Sequence, residues 1–305
     1  MQMRPGLGYL WYNFPMDDYE LLDSGGGRKL ERFGRYVLAR PCSQALWLPS
    51  LQDAEWSRAD ASFDRENGNR WHGRANLPKE WAVETAGIRL LLGGTDFGHL
   101  GVFPEQRKQW EWIRKTVGSA CAGGSVPSVL NLFAYSGGST LAAALGGAEV
   151  CHLDASNGMV EWARRNAHLN GLDGHPIRWI TDDAHKFMRR EVRRGRRYDA
   201  IILDPPTFGR GTSGEMYKIE RDLQKTLSLA SDLLSDTPIF VLLSSHTPGL
   251  TRTVAENVMG QRFPGARIES GEMLLEGRGL PCPSGIYCRA VFDILPAEAK
   301  EGRRR

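Results

Sequence analysis

Asp204 closes the apolar run YDAIIL and is followed by Pro205, Pro206 and, after one threonine, Phe208. Prolines carry no backbone N–H and stiffen the chain. The carboxylate and the two proline carbonyls therefore present acceptors with no donors of their own nearby. Such a lip suits an amino group or a ring nitrogen of a planar base, and Phe208 could stack on that base, a contact worth about 1–3 kcal/mol. A nucleophilic nitrogen held in line with an electrophilic methyl needs little beyond positioning. Asp204 could also take the departing proton. The plainer reading is a strand-ending Asp with a proline turn.

Three other short stretches share this character. In NLFAYSGGSTLAAAL a buried run stops at Gly137 and Gly138, which permit a tight turn and close approach of a ligand to the backbone. Ser139 or Thr140 could cap the helix that follows. The pattern is neither GxGxxG nor a P-loop, so a nucleoside without a diphosphate fits better than a dinucleotide. Asp154 ends the next apolar run, where an acidic side chain can accept both ribose hydroxyls or cap a helix starting near Asn157. Asp182 and Asp183 end the third. One of them could accept the amine of an adenine; Asp183 is favoured because Ala184 follows it, with Asp182 as the helix cap.

These residues need a common scaffold. From Pro127 onward strand-like runs (SVLNLF, AEVCHLD, PIRWIT, YDAIILD, PIFVLLSS) alternate with helical ones (STLAAALGG, NGMVEWARRNAHLNG, DAHKFMRREVRRG, IERDLQKTLSLASDLL). That rhythm predicts parallel βαβ units in a doubly wound sheet. ARIESGEMLL and IYCRAVFDIL predict an antiparallel hairpin at its edge, for seven strands in all. Ahead of it, GIRLLLGG reads as a strand and a helix begins near Pro104. Residues 1–85 predict a smaller β-rich unit with RYVLAR and QALWLP as strands and SFDRENGNRWHGRANLPKEW as a loop; 86–305 form the main domain.

The chain has 305 residues, 41% apolar and 25% charged, with a net charge of +3. This is ordinary for a globular protein, and bulk charge announces no nucleic-acid partner. Arginines 189, 190, 193, 194, 196 and 197 and the terminal RRR are either solvated faces or phosphate contacts. No stretch has the length of a membrane span, and the first 20 residues do not read as a signal peptide. Five cysteines without CxxC spacing argue against a disulfide framework or zinc site, and a reducing cytoplasm fits.

FAYSGG, LDAS, TDDA and LDPPTF together resemble class I S-adenosylmethionine (SAM) methyltransferases. More narrowly they resemble the branch that modifies bases of bacterial large-subunit ribosomal RNA, over about Gly93 to Leu295, with GHLGVFPEQR similar to its lead-in helix. The resemblance implies SAM as cofactor, RNA as partner and no metal. It implies Phe133, Ala134, Tyr135, Ser136, Gly137 and Gly138 beside the methionine part, and Asp154, Ala155 and Ser156 at the ribose. Asp182, Asp183 and Ala184 would face adenine, with Phe103 and Arg107 as further neighbours. Asp204, Pro205, Pro206 and Phe208 would form the catalytic lip. The branch's cytosine-C5 enzymes carry a cysteine after the fifth strand; here that segment is LLSSHTPG, and DPPTF resembles the guanine-N7 type instead. His246 reads as structural. The N-terminal stretch does not resemble an RNA-binding PUA domain. Methylation of a small molecule or protein side chain, or SAM binding without turnover, remain the alternatives.

Overall fold

The computed structural model describes residues 17–65, 68–211, 214 and 216–292. The readings made for the first 16 residues, the end of the last strand and the terminal arginines fall outside them. The chain begins with β1 (Tyr19–Gly25), β2 (Arg28–Phe33), β3 (Tyr36–Pro41), a single turn α1 (Asp53–Trp56), β4 (Ala61–Asp64) and β5 (Arg70–His72), which pair in that order into a five-stranded sheet. A hairpin of β6 (Trp81–Thr85) and β7 (Ile88–Leu92) follows, then a 3-10 turn at Pro104–Gln106 and α2 (Arg107–Ala122).

The predicted alternation then appears as β8 (Ser128–Leu132), α3 (Gly138–Leu145), β9 (Glu149–Asp154), α4 (Asn157–Leu169), β10 (Ile177–Thr181), α5 (Ala184–Arg193) and β11 (Ala200–Leu203). After it come a short ribbon of β12 (Phe208–Arg210) and β13 (Met216–Lys218), α6 (Ile219–Leu233), β14 (Phe240–Ser245), α7 (Arg252–Arg262), β15 (Arg267–Leu275) and β16 (Cys282–Val291). The main sheet has seven strands in the order β10-β9-β8-β11-β14-β16-β15. The first five are parallel and β16 runs antiparallel to both its neighbours. This is the doubly wound, mostly parallel sheet that the alternation predicts.

The central strands read as unbroken apolar runs because helices cover both faces. In β11, Ala200 and Ile202 pack with Ile113, Val117 and Leu141 of α2 and α3, while Ile201 and Leu203 pack with Phe187, Leu227 and Met259 of α5, α6 and α7. Phe240 and Leu242 of β14 join the first layer, and Val241 and Leu243 the second.

The N-terminal sheet differs from the sequence expectation in two places. QALWLP is not a strand. Gly27 and Gly26 donate their N–H groups to Ala45 and Trp47, so this segment folds over the β1–β2 turn, leaving Leu46 and Leu48 exposed. The expected loop instead supplies β4 and β5, held by the Phe63 and Trp71 rings 5.1 Å apart and by Trp71 Nε1 donating to the Thr95 carbonyl. Pattern alone missed these strands because they are short and flanked by glycine and polar residues.

The small sheet docks on the large one through Leu21. Its N–H donates to Glu276 and its carbonyl accepts from Arg278, bracketing Gly277 at the β15–β16 turn. A side chain on Gly277 would collide with the Leu21 carbonyl. Gly277→Ala is expected to lower stability by about 1–3 kcal/mol through overpacking, read as a lower urea midpoint; an unchanged midpoint would show that this contact is dispensable.

Candidate active site

Strand register brings the chemistry to one edge. Leu132 pairs with Leu153 on one side and Leu203 on the other, and Leu203 with Leu243. The residues that come next, Phe133, Asp154, Asp204 and Ser244, therefore line up across one edge of the sheet. Thr181 pairs with Asp154, which sets Asp182 beside them. This is the carboxyl edge of the parallel strands, where open α/β sheets bind ligands.

The turn after β8 is strained. Phe133 (φ 57°) and Tyr135 (φ 50°) take the left-handed conformation without being glycine, and Gly137 takes it at 94°. Each such non-glycine residue costs about 1–3 kcal/mol and persists only where its surroundings hold it. Here the Ala134 N–H donates to Leu153, the Tyr135 N–H to Asp154 Oδ2, Ser136 Oγ to Gly101, and Asn166 Nδ2 to the Ser136 carbonyl. Gly137 is itself the N-cap of α3, with no side-chain cap. Neither Ser139 nor Thr140 caps it: Thr140 is buried between Asn131 and His152. The first amides of α3 thus stay available beside the turn.

Asp154 accepts from the Tyr135 and Ser156 amides at 2.9 Å each. Burial pushes its carboxyl up, against those bonds. Ser156, not Asp154, caps α4. At the next strand the cap is not Asp182, as expected, but its neighbour. Asp183 is the N-cap of α5, its Oδ1 accepting from Lys186, while Asp182 accepts from the Asp183 amide and pairs with Arg190. Asp183 Oδ2 is left over.

The family model described as S-adenosylmethionine-dependent methyltransferase matches residues 61–244. The chain belongs to this family. It is 38% identical to the SAM-dependent methyltransferase of Agrobacterium tumefaciens, whose crystal structure superimposes with a TM-score of 0.85 over 90% of this chain and 91% of that one. It is 36% identical over 221 residues to ribosomal RNA large subunit methyltransferase K of Neisseria meningitidis serogroup B, covering 69% of this chain and 60% of the relative. Against ribosomal RNA large subunit methyltransferase I of Aeromonas salmonicida it is 32% identical over 266 residues, 82% of this chain and 63% of the relative. The chain thus spans about three-fifths of these two relatives. The cofactor of the family is SAM.

Around Asp204 the structure corrects the sequence reading: the carboxylate has donors. Gln106 Nε2 donates to Oδ2 at 3.1 Å and also to Ser244 Oγ, and His246 Nδ1 lies 3.7 Å from Oδ1. His246 Nε2 bonds Glu105 Oε1 at 3.1 Å, and Ser284 Oγ donates to the same oxygen. Glu105 Oε2 is buried with no hydrogen-bond partner. His246 is therefore a member of the site. Glu105, Gln106 and Ser284 were missed by sequence reasoning; the available signal was a carboxylate and an amide directly after a helix-starting proline.

Phe103 joins this group to the strained turn, its ring centroid 5.2 Å from His246 and 5.3 Å from Tyr135. Arg107 does not come to the turn; it pairs with Asp17 and lies over the Tyr19 ring. Pro205 is buried and Pro206 half-buried, and Phe208 is 55% exposed at the start of the β12–β13 ribbon. Arg196 and Arg197 line a cavity of about 420 Å³ with Ser128, Glu149 and Ile177, the first residues of their strands, so this end of the arginine cluster lies opposite the rim.

A cavity of about 1000 Å³ opens on the other side of Phe103. It is lined by Phe103, Glu105, His246 and Ser284, and by Arg28, Lys29, Arg40 and Phe63 of the N-terminal sheet, but by none of Gly137, Asp154, Asp183 or Asp204. Among the described residues no group of three or more His, Cys, Asp or Glu has the arrangement of a metal site, and no helix is long and apolar enough to cross a membrane.

Burial alone would push His246 down, but Asp204 and Glu105 outweigh it and raise its pKa from 6.5 to about 10. Burial likewise pushes Glu105 up, and His246 overrides it, bringing the carboxyl from 4.5 to about 2. The histidine's contribution to stability is complete below 6.5 and is lost as pH rises through about 10. The glutamate's is complete above 4.5 and is lost as pH falls through about 2. His246→Asn should therefore flatten the fall in urea stability between pH 6.5 and 10; a variant whose stability falls as steeply as that of the wild type over this range would disprove the imidazolium.

Proposed function

We propose that this chain transfers the SAM methyl group to a nitrogen of an RNA base, in large-subunit ribosomal RNA. The observation that carries the reading is the alignment of Asp154 and Asp204 on the rim, with a strained, amide-bearing turn between them and a proline lip ending in an exposed aromatic. The names of the two ribosomal RNA methyltransferase relatives support the substrate class.

The chain's residues fit the cofactor. Positive φ at Phe133 and Tyr135 folds the turn from Phe133 to Gly138 around the methionine end. An ionised carboxylate has about four lone-pair sites, so Asp154 keeps capacity for a ribose after shaping the turn, with Ala155 and Ser156 beside it. Asp183 Oδ2 and Ala184 face the adenine, and Asp182 steadies them through Arg190. When bound, SAM supplies an electrophilic methyl. The chain's own work is to hold the base nitrogen in line, an effect of position. Asp204 accepts the N–H of the incoming base, Phe208 stacks on it, and His246 holds the Asp204 carboxylate in place. No cysteine touches Asp204 among the described contacts, which suits nitrogen rather than carbon as the nucleophile. The N-terminal sheet supplies the far wall of the cavity, and we assign substrate recognition to it.

The test is methylation of unmodified large-subunit ribosomal RNA with labelled SAM, followed by nucleoside mass spectrometry. A methylated base nitrogen supports the reading, and label on carbon or none on RNA refutes it. RNA affinity should fall steeply with salt through phosphate contacts; a flat response would favour a small molecule or protein substrate. Asp204→Ala should bind SAM as the wild type does and lose methyl transfer, and full transfer would contradict the role. Asp154→Ala should weaken SAM binding by roughly 1.5–3 kcal/mol for each charge-assisted bond removed; unchanged calorimetric affinity would contradict the ribose assignment.

A further inference from the structure

Cys42 Sγ lies 3.0 Å from Cys282 Sγ. The two residues are 240 positions apart, one just past β3 in the N-terminal sheet and the other the first residue of β16 in the large sheet. The Cys42 N–H donates to the Gly27 carbonyl and its carbonyl accepts from Ala45, so its backbone is fixed. Cys42 also forms part of the wall of the 1000 Å³ cavity, which gives a small molecule a route to an otherwise buried thiol. Two sulfurs at this separation need to approach by only about 1 Å to reach bonding distance.

We propose that Cys42 and Cys282 are a reversible disulfide site, oxidised by a low-molecular-weight disulfide of the glutathione class that enters through the cavity. Cys42 is the attacking sulfur. The contact with the Cys282 thiol and the nearby Lys29 both lower its pKa despite burial. Burial pushes Cys151 up to about 11 and Cys288 up to about 12, which leaves those two as unreactive thiols. The Cys42 thiolate attacks one sulfur of the oxidant, whose S–S bond breaks and releases one thiol. Cys282 then gives up its proton and attacks the Cys42 sulfur of the mixed disulfide, releasing the second thiol. Two protein thiols are oxidised and one small disulfide is reduced to two thiols.

The bond would tie the N-terminal wall of the cavity to the strand that carries Ser284, the residue donating to Glu105. The composition pointed to five separate reduced thiols. The fold sets two of them against each other across the junction of its two sheets.

The fully reduced chain is incubated with excess oxidised glutathione and analysed by intact mass, thiol titration and peptide mapping. The proposal requires a loss of two hydrogens, a fall in titratable thiols from five to three, and a crosslinked peptide joining Cys42 to Cys282, all reversed by dithiothreitol. The oxidised chain should also melt higher than the reduced one, since the crosslink restricts the unfolded state. Cys42→Ser and Cys282→Ser should each abolish the mass loss, and Cys121→Ser should retain it. Retention of all five thiols, a crosslink between other cysteines, or a glutathione adduct that stays on Cys42 would each overturn it. The wild-type peptide map decides the matter even if a variant does not fold, and it does so independently of the RNA substrate.

Discussion

A half-buried imidazolium held between the buried Glu105 and the partly exposed Asp204 organises the site. His246 comes from the loop after β14, Glu105 from the turn before α2, and Asp204 from the end of β11, while Ser284 reaches Glu105 from β16. Burying charges carries a desolvation penalty that only good geometry and further hydrogen bonds offset. Those bonds come from Gln106 and Ser284. Removing His246 would leave two facing carboxylates without their shared cation, so segments distant in sequence are held to one arrangement. Two carboxylates around one histidine leave one negative charge in excess, and the bare Glu105 oxygen shows where it faces no donor. A site of this kind accepts N–H groups and repels phosphate, which agrees with a base, rather than its backbone, entering there.

The backbone of the rim works by the same logic. Phe133 and Tyr135 hold an unfavourable conformation because strand register delivers Asp154 to the Tyr135 amide and because Gly101 and Asn166 grip Ser136. Gly138 is equally constrained, since a side chain there would meet the Trp110 ring of α2 at 2.5 Å. The turn is therefore shaped by the chain's own contacts, and Asp154 shapes it as well as offering acceptors.

Most of the large sheet could be read from the sequence because a parallel sheet covered on both faces writes itself as apolar runs alternating with amphipathic helices. Asp154 and Asp204 were visible for the same reason, each being the first carboxylate after such a run. Asp182 and Asp183 were visible as a pair but not in their roles, because which of two adjacent carboxylates caps a helix depends on backbone angles that spacing does not reveal. Glu105 and His246 were hidden more deeply. A lone histidine and a lone glutamate 141 positions apart acquire meaning only when the fold brings them into contact. The small sheet was least legible. Its strands are short, and β5 (Arg70–His72) pairs on one side only, so little of it carries a buried periodicity.

The separation between rim and cavity has a consequence for how such a site must work. Phe103 stands between them, touching Tyr135 on the rim side and His246 on the cavity side. On the proposed function, a base entering past the N-terminal sheet would meet His246, Glu105 and Phe103 ahead of the lip at Asp204. Lys29 and Arg40 flank the buried Glu31 in the opposite wall and exceed its charge by one, with Arg28 exposed beside them over the Trp56 ring. The positive potential of the cavity therefore lies on the small sheet and the negative potential on the large one. A nucleotide has the matching polarity, phosphate at one end and amine-bearing ring at the other. Of the arginines of the α5 region, Arg190 stays at the rim on Asp182, while Arg196 and Arg197 sit at the opposite end of the sheet, away from this polarity.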